Sequence, residues 1–392
     1  MEIQKITLQA GREKSLERKH PWIFSGAIRN LPKGIRNGDV VEVVAKDGSY
    51  QATGHYSDGS IAIRILTFDQ QPIDANFWKS NIANAANYRK KHLDFPSEHT
   101  NAYRLIHGEG DGLPGLVIDI YGEVAVVQCH SLGMHRSINE IAKAIMDVFG
   151  STIKAVYDKS EEALKQGDRK DSWLIGQVGD EIDILENGNK FTINFVSGQK
   201  TGFFLDQRDN RSFVGHHSPD QSVLNCFSYT GGFSVYALNA GAKDVVSVDV
   251  SKTATDLMDK NMALTKHGAK HLSVTANVME YLKSEEVPMY DIVIIDPPAF
   301  AKSINKRHNA VQAYKRLNAL ALTKVKIGGL LFTFSCSQVV GTQLFYDTIV
   351  AAAIEAGRKI RVMRHLSQGA DHPVNLFHPE GHYLKGLMLE VS

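Results

Sequence analysis

Two short motifs combine a reactive side chain with a rigid or polar surrounding. Asp296-Pro297-Pro298 follows the apolar run 291–295, and Ser335-Cys336-Ser337 follows the apolar run 330–334. Consecutive prolines stiffen the backbone and hold the preceding acid in an extended conformation. A carboxyl group held in this way can hydrogen-bond a ligand, and a cysteine thiolate is a nucleophile. We therefore predict that Asp296 and Cys336 are catalytic. The alternatives are a rigid loop that merely ends a strand, and a cysteine that is only a small buried hydrophobe.

The segment 223–251 has the pattern of the first half of a nucleotide-binding Rossmann unit. A predicted strand at 223–225 leads to Thr230-Gly231-Gly232, then to a helix and to a second strand at 244–248 that ends on Asp249. An acid in that place accepts hydrogen bonds from ribose hydroxyls. The full G-x-G-x-x-G pattern is missing, which argues against a pyrophosphate at the helix N-terminus. A cofactor with a ribose and no phosphate fits better, and S-adenosylmethionine is the candidate.

Polar residues at further predicted strand ends complete the expected cofactor site. We expect Asp249 to bind the ribose hydroxyls, Asn277 to bind the adenine edge and Asp296 to lie beside the methyl donor. The other predicted cofactor contacts are Asn225, Phe227, Tyr229, Thr230, Gly231, Ser251 and Arg208. Arg208 would pair with the cofactor carboxylate or with a phosphate. A salt bridge at the start of a helix is an equally supported alternative for this arginine.

A thiolate beside an Asp-Pro-Pro loop suits methylation at C5 of a pyrimidine, a carbon that is not nucleophilic by itself. In base-modifying methyltransferases an Asp or Asn before two prolines holds the polar edge of an extruded base. Addition of Cys336 to C6 would make C5 electron-rich, and loss of the C5 proton would later expel the cysteine. Asp296 at the N3/N4 edge of cytosine would favour that intermediate. Cys226 lies by the cofactor turn and Cys129 lies outside this region, so Cys336 is the predicted nucleophile.

Length and charge bound the class of protein and its partners. A chain of 392 residues predicts two or three domains. The net charge of +1 excludes a global basic field, so a nucleic acid would be held by local basic patches. The candidate RNA-binding residues are Arg12, Lys14, Arg18, Lys19 and Lys302. A solvated charged face is the alternative interpretation of each patch.

The cysteines and the apolar runs bear on the cellular compartment. The chain has 3 cysteines, widely spaced, which argues against a disulfide framework or a zinc site, and we expect no metal. No apolar run is long enough to span a bilayer, and the N-terminus lacks the apolar core of a signal peptide. We therefore expect a cytoplasmic protein without membrane contact.

Hydrophobic patterning predicts three domains. Residues 1–73 contain short strands separated by Gly and Asp turns, which is typical of a small β-barrel, and barrels of this size often bind RNA. Residues 74–188 predict a mixed α/β domain with helices at 77–93 and 134–149. Residues 189–392 alternate strands and helices, which predicts a doubly wound, Rossmann-like α/β fold. Ligands bind such sheets beyond the carboxyl ends of the strands, where the polar motifs lie.

The chain resembles the ribosomal RNA large subunit methyltransferase I family essentially from end to end. In the first two predicted domains the resemblance is carried by Gly11-Arg-Glu-Lys-Ser15, His20-Pro-Trp-Ile-Phe-Ser-Gly26, Tyr103-Arg-Leu-Ile106 and Gly110-Asp-Gly-Leu-Pro-Gly115. In the last it is carried by Lys200-Thr-Gly202, Leu205-Asp-Gln-Arg208, Asn225-Cys-Phe-Ser-Tyr-Thr-Gly-Gly-Phe233, Asp296-Pro-Pro298, Phe334-Ser-Cys-Ser337 and Ala370-Asp-His-Pro373.

This resemblance implies an N-terminal PUA domain for RNA, a central α/β domain and a class I S-adenosylmethionine-dependent methyltransferase domain. It implies 5-methylcytidine formation in large-subunit rRNA with Cys336 as nucleophile, and it suggests a homodimer. The sequence departs from the family at Asn277, where the family usually has Asp. Related 5-methylcytosine enzymes carry a further cysteine after Asp-Pro, where this chain has Pro298-Ala299-Phe300, so the base that removes the C5 proton is not identified.

Two other functions remain open from the sequence. Guanine-N7 methylation is a rival, because a related large-subunit rRNA enzyme shares much of the cofactor turn and an Asp-Pro-Pro loop, and N7 needs no thiolate. The other is an RNA-binding ribosome-assembly protein with little catalytic activity, in which Asn277 in place of the family's usual Asp would reflect the weakened methyltransferase domain. The intact Asp249, Asp296 and Cys336 disfavour the second of these.

Overall fold

A computed structural model describes residues 3–164, 170–266, 268–301 and 303–392. Lys302, one of the predicted RNA-binding residues, lies outside the described residues. The chain divides into two compact units. The first consists of Met1–Ile184, Asn194–Leu205 and Ala370–Gly381, and the second of Leu185–Ile193, Asp206–Gly369 and His382–Ser392. The division at 73 and 188 into three domains stays a prediction.

The first unit begins with a six-stranded sheet in the order β2-β6-β5-β4-β1-β3. Its elements are β1 (Gln4–Leu8), α1 (Lys14–Glu17), β2 (Trp22–Phe24), β3 (Ile28–Asn30), β4 (Val40–Val44), β5 (Tyr50–Tyr56) and β6 (Ile61–Thr67). Ile6, Val41, Val43 and Ile63 are fully buried in its core. Alternating apolar residues predict such strands, because successive side chains point to opposite faces of a sheet.

The same unit contains a second sheet in the order β11-β10-β9-β8-β7. Its elements are α2 (Ala75–Leu93), β7 (Ala102–His107), β8 (Leu116–Tyr121), β9 (Val124–Cys129), α3 (Leu132–Arg136), α4 (Ile138–Phe149), β10 (Ala155–Asp158), α5 (Glu161–Leu164) and β11 (Ser172–Ile175). Asp74 caps α2 by accepting a hydrogen bond from the Phe77 backbone N–H at 3.0 Å. Arg89, buried in α2, donates to Asp111 at 2.8 Å and to the carbonyl of Asp371 at 2.7 Å.

A hairpin of β12 (Glu181–Glu186) and β13 (Asn189–Asn194) follows. Asn187 and Gly188 have φ of 49° and 77°, which is the pair of left-handed residues that a tight two-residue hairpin turn requires.

The second unit is a seven-stranded sheet in the order β16-β15-β14-β17-β18-β20-β19 with helices between its strands. Its elements are α6 (Arg208–His217), β14 (Ser222–Cys226), α7 (Gly232–Asn239), β15 (Asp244–Asp249), α8 (Lys252–Ala263), β16 (Lys270–Thr275), α9 (Val278–Lys283), β17 (Tyr290–Ile295), α10 (Arg307–Thr323), β18 (Val325–Ser335), α11 (Thr342–Ala356), β19 (Ile360–Ser367) and β20 (Lys385–Val391). Strands β14 to β18 pair in parallel and β20 is antiparallel. The predicted doubly wound α/β fold is therefore confirmed.

Two elements of this unit lack a strong sequence pattern. Strand β19 lies at the sheet edge and is largely exposed, and Arg361 and Arg364 interrupt its apolar residues. Helix α9 has only six residues, which is too short for a clear helical period. None of the helices in the described part of the chain is both long and apolar enough to cross a membrane.

A buried ion pair joins the hairpin residue Glu186 to helix α6. Arg211 donates from Nε to Glu186 Oε1 at 2.8 Å and from a terminal nitrogen to Oε2 at 2.7 Å. The Tyr236 hydroxyl donates to the same carboxylate at 3.0 Å. The Glu186 side chain is fully buried, so its charge depends on these partners.

Replacing Arg211 by Ala should therefore lower the free energy of unfolding by about 3–5 kcal/mol, because it leaves an uncompensated buried carboxylate. Urea unfolding of the whole chain measures the change. Lys252→Ala, which breaks the exposed Lys252–Asp256 pair on α8, is the control and should cost less than about 1 kcal/mol. Equal losses for the two variants would contradict the prediction.

Candidate active site

Parallel pairing brings the polar motifs of the second unit to one edge of its sheet. Cys226 at the end of β14 pairs with Val248 of β15 and with Ile295 of β17. Ile295 in turn pairs with Thr333 of β18. The residues that follow these strands therefore share the carboxyl edge. The strand order reverses between β14 and β17, and ligands bind sheets of this type at such a point. Asp249, Asp296 and Cys336 all lie at that edge.

The loop after β14 is held in a strained conformation that the sequence did not reveal. Phe227 and Tyr229 have φ of 59° and 46°, in the left-handed region that side chains other than glycine rarely adopt. The Ser228 N–H donates to the carbonyl of Val248 at 3.1 Å, and the Tyr229 N–H donates to Asp249 Oδ2 at 2.9 Å. Strain of this kind persists only where surrounding bonds impose it, and it is concentrated at functional sites.

Gly231 is required for packing against helix α8. Its φ is 84°, and an added Cβ would lie 2.7 Å from Met258 Cγ and 2.6 Å from Met262 Cε. The sequence gives no sign of this packing, because Met258 and Met262 lie far from Gly231 in the chain. The expected contact of Gly231 with the cofactor stays a prediction. The Asn261 side chain, which the sequence did not single out, donates to the carbonyl of Thr230 at 2.9 Å and fixes the same turn from α8.

The polar atoms of this loop fit a cofactor that carries hydroxyl and amino groups. Each oxygen of the half-buried Asp249 carboxylate accepts one backbone N–H, Oδ1 from Ser251 and Oδ2 from Tyr229, both at 2.9 Å. Carboxylate oxygens have further lone pairs, so Asp249 can also accept from ribose hydroxyls. The buried hydroxyls of Ser228 and Thr230 have no hydrogen-bond partner among the described residues. A bound ligand would satisfy such groups.

Two asparagines predicted to contact the cofactor have structural roles. Asn225 is fully buried, and its amide donates to Ser234 Oγ at 2.9 Å, beneath helix α7. Asn277 caps α9, because its Oδ1 accepts the backbone N–H groups of Met279 at 2.9 Å and Glu280 at 3.3 Å. The amide NH2 of Asn277 therefore remains for a ligand, and it is a donor where Asp would be an acceptor.

Ser251 and Arg208 are also bound to neighbouring protein groups. Ser251 caps α8 by accepting the Ala254 N–H at 3.3 Å. Arg208 is 2% exposed, and its Nε lies 3.5 Å from Glu186 Oε2. This ion pair matches the salt-bridge alternative for Arg208. The cofactor contacts of Ser251 and Arg208 stay predictions.

Asp296 lies in an environment that favours its neutral form. Desolvation and the nearby Asp206 carboxylate raise the pKa of Asp296 to about 7, while a hydrogen bond from Gln207 and the charge of Arg211 oppose the shift. Asp206 is itself held by the Tyr383 hydroxyl, which donates to its Oδ2 at 2.6 Å. Neutral and ionised forms of Asp296 are therefore both populated near pH 7, so this residue can exchange a proton with a ligand.

A lysine that the sequence did not single out lies beside the predicted nucleophile. Lys385 of β20 pairs with Ser335, and its Nζ donates to the carbonyls of Ser337 at 2.7 Å and Val340 at 2.8 Å. Burial lowers the pKa of Lys385 to about 8, and interaction with Cys336 opposes this shift. Lys385 thus places a positive charge by the half-buried Cys336, a setting that favours a thiolate.

The loops after β17 and β18 are joined by a hydrogen bond. Ser337 Oγ donates to the carbonyl of Ala301 at 2.8 Å, and the Ser337 N–H donates to Ser335 Oγ at 3.3 Å. The serines flanking Cys336 therefore hold its turn against the loop that begins at Asp296.

The predicted RNA-binding residues of the first unit lie around helix α1. Arg12, Lys14, Arg18 and Lys19 are all exposed, and Lys19 Nζ lies 4.5 Å from the centre of the Phe68 ring. Exposed cations fit both an RNA surface and an ordinary solvated face.

Comparison with known families matches both parts of the chain. An S-adenosylmethionine-dependent methyltransferase model matches residues 103–369, and a PUA-like domain model matches residues 6–68. The cofactor of the protein is accordingly S-adenosylmethionine. The structure is similar to that of a Streptococcus mutans protein described as a SAM-dependent methyltransferase, with a TM-score of 0.84 and 24% sequence identity. The superposition covers 99% of this chain and 100% of that chain, which shows a shared fold.

Curated relatives match over nearly their whole length. The chain is 40% identical to ribosomal RNA large subunit methyltransferase I of Alteromonas mediterranea, over 99% of this chain and 98% of that protein. It is 37% identical to the protein of the same name from Klebsiella pneumoniae, over 99% of this chain and 98% of that protein. The chain therefore belongs to the ribosomal RNA large subunit methyltransferase I family of S-adenosylmethionine-dependent methyltransferases.

Proposed function

We propose that this protein methylates C5 of a cytosine in large-subunit ribosomal RNA through a covalent adduct between Cys336 and C6 of the base. The observation that carries the proposal is the arrangement of Asp296 and Cys336 after neighbouring parallel strands, with the charged Lys385 beside the cysteine. The relatives named for large-subunit rRNA and the match to a PUA-like domain support RNA as the substrate.

The chemistry assigns one task to each side chain. Cys336 Sγ bonds to C6, and the electron pair of the C5–C6 bond moves through C4 toward N3. Neutral Asp296 donates its proton to N3, which stabilises the electron-rich ring. S-adenosylmethionine supplies the methyl group that C5 takes up. Loss of the C5 proton to a base then restores the C5–C6 double bond and expels the Cys336 thiolate, which Lys385 stabilises. N3 returns its proton to Asp296, which leaves neutral 5-methylcytosine.

The cofactor would lie along the loop after β14. Asp249 would accept the ribose hydroxyls, and Ser228 and Thr230 offer buried hydroxyls to the rest of the molecule. Phe227, Tyr229 and Gly231 would line the site through their fixed backbone. The RNA base must leave its stack to reach Cys336, which is least costly for a single-stranded or loop nucleotide. The cations Arg12, Lys14, Arg18 and Lys19 would hold the phosphate backbone.

Asp249→Ala should weaken S-adenosylmethionine binding about 10- to 150-fold, because hydrogen bonds to a charged group contribute about 1.5–3 kcal/mol. Isothermal titration calorimetry measures the affinity. Asp256→Ala, on the exposed face of α8, is the matched control and should bind as the parent does. An unchanged affinity in Asp249→Ala would exclude Asp249 as a cofactor contact.

Cys336→Ala should abolish methyl transfer to large-subunit rRNA while S-adenosylmethionine still binds, because C5 is not nucleophilic without the thiolate. Mass spectrometry of nucleosides from the treated RNA measures the product, expected to be 5-methylcytidine. Cys129→Ala, at a buried cysteine of the first unit, is the control and should retain activity when folded. Full activity in Cys336→Ala, or 7-methylguanosine as the product, would refute the proposal and favour guanine-N7 methylation.

The pH profile of single-turnover methyl transfer should fall as pH rises through about 7, because the pKa of Asp296 is raised to about 7 and only its neutral form, dominant below that pH, donates a proton. Asp296→Asn should lose this alkaline limb and react about 10²- to 10⁴-fold more slowly. Lys385→Arg keeps a cation beside Cys336 and should retain the alkaline limb. This control distinguishes titration of Asp296 from titration of Lys385 as the origin of the limb. A limb that survives in Asp296→Asn would contradict the assignment.

A further inference from the structure

Two motifs that the methyl-transfer chemistry does not use meet in the first unit. His20 belongs to the His-Pro-Trp motif before β2, and His378 and Glu380 belong to the segment that follows the Ala370-Asp-His-Pro373 motif. One ligand atom from each of these three residues lies within 4.8 Å of the others. His20 Nε2 lies 3.8 Å from Glu380 Oε1, and His378 Nε2 lies 3.8 Å from Glu380 Oε2.

His378 is the unusual member of this group. Its side chain is buried, at 4% exposure, and neither ring nitrogen has a hydrogen-bond partner among the described residues. Its ring packs against Trp22 at 4.3 Å and His20 at 5.5 Å between centroids. Burying a polar group without a partner costs free energy, and a bound ligand or ion would offset this cost by bonding to a ring nitrogen.

Two backbone groups of Trp22 face the His20 ring. The Trp22 N–H donates to His20 Nδ1 at 3.1 Å, and the Trp22 carbonyl lies 3.3 Å from the same nitrogen. In the tautomer that carries its proton on Nδ1 and donates to this carbonyl, the lone pair is on Nε2, which lies 3.8 Å from Glu380 Oε1. Metal binding at Nε2 would select that tautomer, with a backbone carbonyl on the other ring nitrogen as in most metal-binding histidines.

Backbone bonds also fix the segment that carries His378 and Glu380. The His378 N–H donates to the carbonyl of Asn375 at 2.8 Å, and the Gly381 N–H donates to the carbonyl of His378 at 3.1 Å. The Asn375 side chain donates to the carbonyl of Glu109 at 3.2 Å, and Glu109 accepts the Trp22 indole N–H at 2.7 Å. The loop is thus tied to Trp22, the first residue of β2, whose ring contacts both histidines.

We propose that His20, His378 and Glu380 bind a divalent transition-metal ion of the zinc type. Two imidazoles and one carboxylate form a ligand set that zinc adopts, with the fourth position left to water. Zinc bonds of this kind place neighbouring ligand atoms about 3.3 Å apart in a tetrahedron. The observed distances are 3.8 Å from each histidine to an oxygen of Glu380, and all three ligand atoms lie within 4.8 Å of one another, so the group would contract on binding the metal. The side chain of Glu380 is half exposed and therefore free to move inward.

The site would be structural rather than part of the methyl-transfer chemistry. The metal would cross-link the chain before β2 to the segment 370–381 within the first unit. That segment is already bound to the unit through Asp371, whose carboxylate accepts the Arg104 backbone N–H at 3.0 Å. The spacing of the cysteines argues against a cysteine zinc site, but it carries no information about histidine ligands from distant parts of the chain.

The test uses the untagged full-length chain, stripped with a chelator and titrated with Zn²⁺, followed by calorimetry, and with Co²⁺, followed by visible absorption. One equivalent should bind. Glu380→Gln and His378→Ala should each lower the Zn²⁺ affinity at least about tenfold, since even changes outside the ligand shell cost 10- to 100-fold. His99→Ala, at an exposed histidine of the same unit, should bind as the parent does.

Thermal unfolding provides a second readout. Zn²⁺ should raise the melting temperature of the parent and of His99→Ala, and it should leave that of Glu380→Gln unchanged. Glu380 is half exposed, so this variant should fold. Binding that persists at full strength in Glu380→Gln and His378→Ala, or no binding to the parent, would overturn the proposal and leave a weak His20–Glu380 ion pair. Both readouts are independent of methyl transfer.

Discussion

Parallel strand pairing is the constraint on which the rest of this protein depends. Because β14, β15, β17 and β18 run in the same direction, the residue after each strand must lie at the same edge of the sheet. Residues that are far apart in the chain, Asp249, Asp296 and Cys336, thereby share one edge of the sheet before any side-chain contact forms. The antiparallel β20 begins at this edge, and its first residue, Lys385, pairs with Ser335, the last residue of β18.

Desolvation at that edge produces the acid–base properties of the candidate site. In water, Asp296 would be ionised at neutral pH, but partial burial beside a second carboxylate, Asp206, raises its pKa to about 7. The same physics acts with the opposite sign on Lys385, where burial lowers the pKa to about 8. A carboxyl that can release a proton and an ammonium that can hold a charge are thus both available near neutral pH. Such paired shifts are what acid–base chemistry requires.

Several buried charges in the described residues are matched by partners, and this makes buried polar groups without partners informative. Arg89 is bound by Asp111, Arg104 by Asp119 and Arg211 by Glu186, each with short, well-directed bonds. Where polar groups are buried without such partners, as in the hydroxyls of Ser228 and Thr230 or the ring of His378, the fold bears a cost that packing does not explain. The first two lie in the loop after β14, and the third belongs to the histidine–glutamate group of the first unit.

The sequence by itself determined the doubly wound fold, the cofactor class and the motifs at the strand ends, because apolar periodicity, turn glycines and proline rigidity act over a few residues. Alternation also indicated short strands in residues 1–73, but it did not place the three-residue strands β2 and β3, which are too short for a clear pattern. It did not foresee that Asn225 would be buried under α7, that Gly231 would be needed for Met258 and Met262, or that Asn277 would cap α9.

Only the tertiary structure decided which distant groups share one environment. The interaction of Asp296 with Asp206, of Cys336 with Lys385 and of His20 with His378 follows from long-range packing that no local pattern encodes. Burial and through-space electrostatics depend on every neighbour of a side chain, and those neighbours are known only once the chain has folded.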